Sequence, residues 1–165
     1  MSFYTDVIAR SPLFHTTGAV NDLALLEPVT RAAVQAIVAE AKAMRHELRV
    51  LETYRSCERQ AVLFGRGASK LKTVGVHHYG CAADLGLYIL GRYIGAAEPY
   101  RFLVDLCAKH GLISGIDWGE PAKRHTFIDA GHVQRTAVQD QPRLFAGSWF
   151  PDPLYSPSPT RVAKA

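Results

Sequence analysis

The sequence lacks the cysteine patterns of a disulfide framework or a thiolate metal site. Its 165 residues include three cysteines, Cys57, Cys81 and Cys107, and no two of them form a CxxC pair. An odd number of cysteines without such a pair, each among apolar or small residues, is typical of buried reduced thiols. This pattern argues against the disulfide-rich domains and against cysteine-based zinc sites.

Long apolar runs are missing as well. No stretch approaches the length of a membrane-spanning helix, and Met1 to Asp6 lack the basic region and apolar run of a secretory signal. The HExxH helix of many metalloproteases and the GxxxxGK[ST] phosphate loop are also absent. We therefore expect a protein that is made in the cytoplasm without a signal peptide and that has no membrane partner.

The charge is only mildly unbalanced. Nineteen Lys and Arg residues against 15 Asp and Glu residues give a formal net charge of +4. Because this excess is spread along the chain, it does not predict a nucleic-acid partner. It does suit weak attraction to an anionic polymer.

The periodicity of apolar residues predicts one α+β domain, with a small antiparallel sheet backed by helices. The domain spans residues 1–150, of which 1–27 form an N-terminal arm, and a Pro/Ser-rich tail follows at 151–165. Helices are predicted at 28–47, 57–64 and 98–110, and strands at 48–54, 82–90, 112–116 and 125–128. We expect a monomer.

Two short stretches concentrate the residue types that carry chemistry. The first, residues 77–84, contains His77 and Asp84, and the second, residues 129–132, contains Asp129 and His132. Neutral imidazole and carboxylate are suitable zinc ligands, and a catalytic site takes three protein ligands. The sequence therefore indicates a mononuclear zinc site formed by His77, Asp84 and His132, with Asp129 close enough to exchange a proton.

Spacing alone leaves alternatives open. A pair of neighbouring histidines is more often a surface feature or a satisfied core feature than a metal site. His78 is a competing ligand, at a spacing of six residues from Asp84 where His77 has seven. Another divalent metal is also compatible with these ligands, since affinity order alone does not select zinc.

Four motifs in order resemble the zinc D-Ala-D-Ala carboxypeptidase family, which includes the VanX-type and VanY-type enzymes and the L-alanyl-D-glutamate endopeptidases of phage endolysins. The motifs are Tyr54-Arg55-Ser56 with Glu58-Arg59-Gln60, His77-x-Tyr79-Gly80-x-Ala82-x-Asp84, Gly111-Leu112 with Trp118, and Asp129-x-x-His132-x-Gln134. They lie within residues 53–84 and 111–134.

The resemblance implies roles for individual residues. His77, Asp84 and His132 match the zinc ligands, Asp129 matches the catalytic acid/base, and Arg55 matches the arginine that stabilises the oxyanion. A guanidinium suits that role because it stays charged and donates several hydrogen bonds. The chain departs from the family pattern at Gly75 and His78. When His77 is taken as the ligand, Tyr79 and Gly80 stay in register with the family motif.

Two further residues are predicted to bind substrate. Gln60 could contact the substrate from the helix at 57–64. The alternative is that Gln60 is a helix-surface glutamine without a role in binding. Trp118 could line the substrate cleft, and the alternative is that it is an aromatic residue that only packs in its loop.

The resemblance implies a zinc peptidase that acts on peptidoglycan stem peptides at the cell wall after release, as an L-Ala-D-Glu endopeptidase or a D-Ala-D-Ala carboxypeptidase. A non-catalytic binding module of the same fold is the alternative.

Overall fold

The computed structural model describes residues 2–116 and 128–157. Within these ranges the helices are α1 (Phe3–Asp6), α2 (Pro28–Ala43), α3 (Cys57–Gly65), α4 (Phe102–Lys109) and α5 (Gln141–Phe145). The strands are β1 (Glu47–Glu52), β2 (Ala82–Ile89), β3 (Arg92–Tyr93), β4 (Ile113–Ser114) and β5 (His132–Gln134). Short 3₁₀ turns occupy Ile8–Arg10, Leu23–Leu25, Val76–Tyr79, Glu98–Tyr100 and Val138–Asp140.

The strands form one antiparallel sheet in the order β1-β2-β5-β4, and the short β3 pairs with β2. The predicted α+β class with a small antiparallel sheet is confirmed. Strand β2 is central, and its Asp84 pairs with Glu52 on one side and with His132 on the other. Paired residues point to the same face of a sheet, so these three side chains share one face.

The opposite face of the sheet packs on helices α2 and α4. The main core cluster gathers apolar side chains from the sheet and both helices, among them Leu85, Leu87, Val34, Ile37 and Leu103. Helix α2 begins at Pro28 because Glu27 caps it, accepting from the backbone N–H groups of Val29 and Thr30. Because side chains alternate along a strand, this packing leaves Asp84 on the face away from the helices.

A β-bulge brings Glu52 to the face that carries Asp84. The register of β1 against β2 shifts between Val50, which pairs with Leu85, and Glu52, which pairs with Asp84. Strict alternation from Val50 would turn Glu52 towards the core, and the extra residue Leu51 reverses that direction. The bulge therefore places a second carboxylate beside Asp84.

Several predicted boundaries move in the structure. Helix α2 ends at Ala43 rather than near residue 47, because Arg45 adopts a left-handed conformation with a φ of 66° and β1 begins at Glu47. The helix predicted from residue 98 begins as a 3₁₀ turn, and α4 starts at Phe102. Most of the strand predicted at 125–128 lies outside the described residues.

The two ends of the described chain pack against the domain. In the N-terminal arm Ile8 is fully buried, and in the tail the carbonyl oxygens of Asp152 and Tyr155 accept hydrogen bonds from Arg135. Among the described residues no helix has the length and apolar character needed to cross a membrane.

Candidate metal centre

Three side-chain atoms from two strands and a turn converge on one point. His77 Nε2 lies 3.1 Å from Asp84 Oδ1, His132 Nδ1 lies 3.0 Å from the same oxygen, and the two nitrogens are 3.3 Å apart. Both histidines are buried and the aspartate is half-buried. Within the described ranges these three residues form a group that could hold a metal ion, and we call them the metal group.

These separations fit a tetrahedral zinc site. Zinc binds imidazole nitrogen and carboxylate oxygen at about 2.0–2.1 Å, so two of its ligand atoms lie roughly 3.3 Å apart. The three measured edges are 3.0, 3.1 and 3.3 Å. The group therefore matches one face of a zinc tetrahedron in both donor type and spacing.

The seven-residue spacing from His77 to Asp84 follows from a tight turn and a strand start. His77 lies in the 3₁₀ turn Val76–Tyr79, and Gly80 ends it with a φ of 70°. A Cβ atom on Gly80 would lie 2.6 Å from the carbonyl oxygen of Leu25, so only glycine fits there. Strand β2 then starts at Ala82 and delivers Asp84 beside His77.

Each histidine is oriented by a hydrogen bond from its outer nitrogen. Nδ1 of His77 lies 3.1 Å from the carbonyl oxygen of Thr53, and Nε2 of His132 lies 3.0 Å from Oε1 of Gln134. Both partners are oxygen acceptors, so the outer nitrogen carries the proton and the inner nitrogen is left to bind a cation. Partners of this kind are the usual support of metal-binding histidines.

The charges of the group depend on one another. Burial opposes the charged form of Asp84, but the charges and hydrogen bonds of His77 and His132 hold the pKa of this carboxyl well below its usual range. Burial likewise opposes the charged form of His132, but its hydrogen bond to Asp84 and the Asp84 charge raise its pKa. The site thus favours positive charge next to the Asp84 carboxylate.

Arg55 completes the contacts of Asp84 and is itself held by Glu52. Its Nη2 donates to Oδ2 of Asp84 at 2.8 Å, and its Nε donates to Oε2 of Glu52 at 3.0 Å. The other Glu52 oxygen accepts from Nε of Arg59 at 3.0 Å. No described residue accepts a hydrogen bond from Nη1 of Arg55. Glu52 was not identified from the sequence, because only the bulge reveals that it lies on this face.

Asp129 lies next to two glycines whose lack of a side chain allows close backbone contacts. Its N–H donates to the carbonyl oxygen of Gly115 at 3.1 Å, and its carbonyl oxygen accepts from the N–H of His132 at 3.2 Å. A Cβ atom on Gly115 would lie 2.2 Å from that same Asp129 oxygen, and one on Gly131 would lie 2.1 Å from the oxygen of Leu85. Neither glycine was identified from sequence, since the close approach joins distant segments.

Burial and the neighbouring charged groups both act on the carboxyl group of Asp129. Burial raises its pKa, and the charge of Asp84 adds to that rise, while His132, His77 and Arg55 oppose it. Asp84, His77 and His132 are the proposed metal ligands, and the backbone hydrogen bond from the N–H of His132 keeps Asp129 next to one of them.

The other sequence-predicted residues lie in different surroundings. Gln60 is buried, and its Nε2 donates to Oγ of Ser69 at 2.6 Å and to the carbonyl oxygen of Leu71. Its Oε1 has no partner among the described residues. Trp118 lies outside the described residues.

His78 points away from the metal group. Its Nε2 lies 2.9 Å from the hydroxyl of Tyr4, and its Nδ1 lies 3.2 Å from the carbonyl oxygen of Arg55. Burial lowers its pKa. The structure therefore brings His77, and not its neighbour, to Asp84.

Comparison with protein-family models gives no match, and comparison with curated proteins gives none. Comparison with solved structures gives several matches. The L-Ala D-Glu endopeptidase ChiX of Serratia marcescens is 21% identical, with a TM-score of 0.55 over 80% of this chain and 98% of that one. The LD-carboxypeptidase LdcB is 19% identical, with a TM-score of 0.51 over 74% of this chain and 64% of that one.

A third solved structure is that of the vancomycin-resistance D,D-pentapeptidase VanY in complex with Zn(II). It is 16% identical, with a TM-score of 0.50 over 73% of this chain and 78% of that one. At these identities the likeness is one of fold. The chain has the fold of these peptidoglycan peptidases, and this confirms, at the level of fold, the resemblance that the four motifs indicated.

Proposed function

We propose that this chain is a zinc-dependent peptidase that hydrolyses an amide bond in peptidoglycan stem peptides. The observation that carries the proposal is the triangle of His77, Asp84 and His132 with Asp129 and Arg55 next to it. Three ligand atoms are enough to hold the ion in a catalytic site and leave one position open, whereas structural sites normally close all four. A module that only bound a peptide would need neither the carboxyl nor the guanidinium.

When bound at these three atoms, zinc supplies a Lewis acid and lowers the pKa of water at the site. The carboxylate of Asp129 accepts the proton of the attacking water and passes it to the leaving amine. Its raised pKa suits the first of these steps, because it makes the carboxylate a stronger base towards the proton of the water than an ordinary aspartate.

Arg55 stabilises the negative charge that develops on the carbonyl oxygen. Its Nη1 has no acceptor among the described residues, so it can donate to that oxygen, while Nε and Nη2 are already bound to Glu52 and Asp84. A donor that is fixed before the reaction costs no reorganisation when charge appears. Glu52 therefore supports catalysis by holding the guanidinium in place.

The bond between L-Ala and D-Glu is the substrate bond that we favour. Among the described residues, Arg55 is assigned to the oxyanion and Arg59 is paired with Glu52, so neither is left as the partner of the terminal carboxylate of a carboxypeptidase substrate. The likeness to the Serratia endopeptidase, which spans 98% of that chain, supports the same choice. The protein would act as a monomer on the cell wall.

The test combines elemental analysis of the purified protein with digestion of purified peptidoglycan, with and without a chelator. We expect about one zinc per chain and chelator-sensitive release of new amino termini on D-Glu. Release of free D-Ala would instead identify a carboxypeptidase. Zinc without cleavage would favour the non-catalytic binding module, and absence of metal after reconstitution would show that the three residues form no metal site.

A further inference from the structure

The backbone that carries Arg55 is held by the N-terminal arm. Residues 53–56 connect strand β1 to helix α3 and are bound through three side chains to carbonyl oxygens of the arm. Thr53 Oγ1 donates to Val20 and Asp22 at 3.1 and 2.8 Å, Tyr54 Oη donates to Phe14 at 2.8 Å, and Ser56 Oγ donates to Thr16. The carbonyl oxygen of Arg55 itself is bound by a different residue.

That residue is His78, which links Arg55 to the first helix. The carbonyl oxygen of Arg55 can only accept, so the His78 Nδ1 that lies 3.2 Å away carries the proton and donates it. The other ring nitrogen, Nε2, lies 2.9 Å from the hydroxyl of Tyr4. A chain of two hydrogen bonds thus runs from Tyr4 through His78 to the backbone of Arg55.

The surroundings of His78 leave its ring one orientation. His78 is 5% exposed, and its ring packs against four aromatic residues, Tyr4, Phe14, Tyr54 and Tyr79. Turning the ring over would place carbon atoms against both the Tyr4 hydroxyl and the Arg55 carbonyl. The Tyr4 hydroxyl and the Arg55 carbonyl therefore act together to select the ring orientation in which Nδ1 faces Arg55.

We propose that Tyr4 and His78 are positioning residues that hold the backbone of Arg55 so that its guanidinium faces the scissile carbonyl. This inference rests on the proposed function. The side chain of Arg55 is fixed at its far end by Glu52 and Asp84, and the Tyr4–His78 chain fixes its near end. Small displacements of a catalytic group have large effects on rate, so the arm contributes to catalysis without contacting substrate.

The first test compares Tyr4→Phe with Tyr79→Phe. Each change removes one tyrosine hydroxyl from the same aromatic cluster, but the Tyr79 hydroxyl donates to Phe145 O at 3.2 Å and has no link to Arg55. We expect Tyr4→Phe to lower kcat about tenfold with little change in KM and with full zinc content, and Tyr79→Phe to leave kcat within about twofold. Equal losses in the two variants would reduce Tyr4 to a packing residue and overturn the proposal.

A rescue variant tests the direction of the coupling. His78→Asn keeps an amide N–H close to the position of Nδ1 but has no atom at the position of Nε2. We expect it to retain most of the wild-type kcat, and we expect Tyr4→Phe to have no further effect in its background, as coupling through one shared partner requires. A full additional loss in the double variant would show that Tyr4 acts by another route.

An NMR readout keeps this inference separate from the proposed function. Long-range proton–nitrogen spectra of the wild type should show His78 protonated at Nδ1, and the Nε–H of Arg55 should exchange slowly with solvent. Tyr4→Phe should accelerate that exchange and Tyr79→Phe should not. If the wild type cleaves no peptidoglycan but these signals behave as expected, the proposed function fails and the positioning contact stands; an unchanged Arg55 signal in Tyr4→Phe overturns the positioning contact in either case.

Discussion

Two buried polar clusters in this protein differ in the kinds of atoms that meet in them. The first surrounds Glu27, whose Oε2 accepts from the backbone N–H and the hydroxyl of Thr30 and from Nη1 of Arg135, each at 3.0 Å. Nη2 of the same arginine donates to the carbonyl oxygen of Tyr155 at 2.9 Å. Donors and acceptors are matched, and the cluster needs nothing from outside.

The metal group brings together three atoms that can bind a cation. His77 Nε2, His132 Nδ1 and Asp84 Oδ1 approach one another within 3.3 Å, and all three are acceptors when the histidines take the tautomers fixed by their outer partners. Only a proton or a cation can reconcile three acceptors at this distance. A buried cluster of paired donors and acceptors thus indicates stability, whereas three converging acceptor atoms indicate a cation site.

Removing the charge of Asp84 should abolish the cation site, and we expect it to have the largest effect on zinc content and on the rate of hydrolysis. Asp84→Asn keeps the size of the side chain, but it removes the negative charge from the three-atom set. We expect the zinc content to fall to background and the hydrolysis of peptidoglycan to fall by at least about a thousandfold. Elemental analysis and the rate of appearance of new amino termini would measure the two effects.

Asp105→Asn is the matched control, because Asp105 is exposed on helix α4 and lies outside the metal group. It should keep both zinc and activity. If Asp84→Asn bound zinc with wild-type stoichiometry, the carboxylate would not be a ligand and the site would have to be assigned to other residues.

Changing Asp129 should separate binding of the metal from catalysis. Asp129→Asn removes the base but leaves the three ligand atoms in place, so we expect full zinc content with kcat lowered about a hundredfold to ten-thousandfold. The same two assays apply. Loss of zinc in this variant would make Asp129 a ligand and would remove it from the role of acid/base.

The sequence predicted the metal group because its information is local. His77, Gly80 and Asp84 lie in one short segment in which a glycine turn and a strand start set the geometry, and these are features of residue type and order. The α+β class was predicted for a similar reason, since apolar periodicity marks the main helices and strands. Residue type alone also indicated the distant ligand His132, and the resemblance to known peptidases added the role of Arg55.

The support of the site could not be predicted, because it depends on contacts between distant segments. Glu52 reaches Asp84 only through a bulge, which alternation in the sequence does not reveal. Gly115 is required by the approach of the Asp129 carbonyl, and Tyr4 is 74 residues from the His78 ring that it contacts. Gln60 was expected at the substrate and is found buried against Ser69, although its role as a contact stays a prediction.

The matched cluster should respond to mutation in stability and not in chemistry. Arg135→Met removes the buried guanidinium, so Glu27 loses its ion-pair partner and the tail loses two anchoring hydrogen bonds. Breaking a buried pair from one side costs about 3–5 kcal/mol. We therefore expect a loss of that size in the free energy of unfolding, measured by urea denaturation, with zinc content and kcat close to wild type under native conditions.

A second variant distinguishes the lost pairing from the lost packing. Glu27→Gln in the Arg135→Met background removes the unpaired charge, yet its amide oxygen can still accept the hydrogen bonds of Thr30 that begin helix α2. Part of the lost stability should return, because the main cost of a broken pair is the charge left behind in the interior. If Arg135→Met instead released zinc or lowered kcat as strongly as Asp129→Asn does, the two clusters would be coupled, and the division between a stabilising region and a reactive one would be wrong.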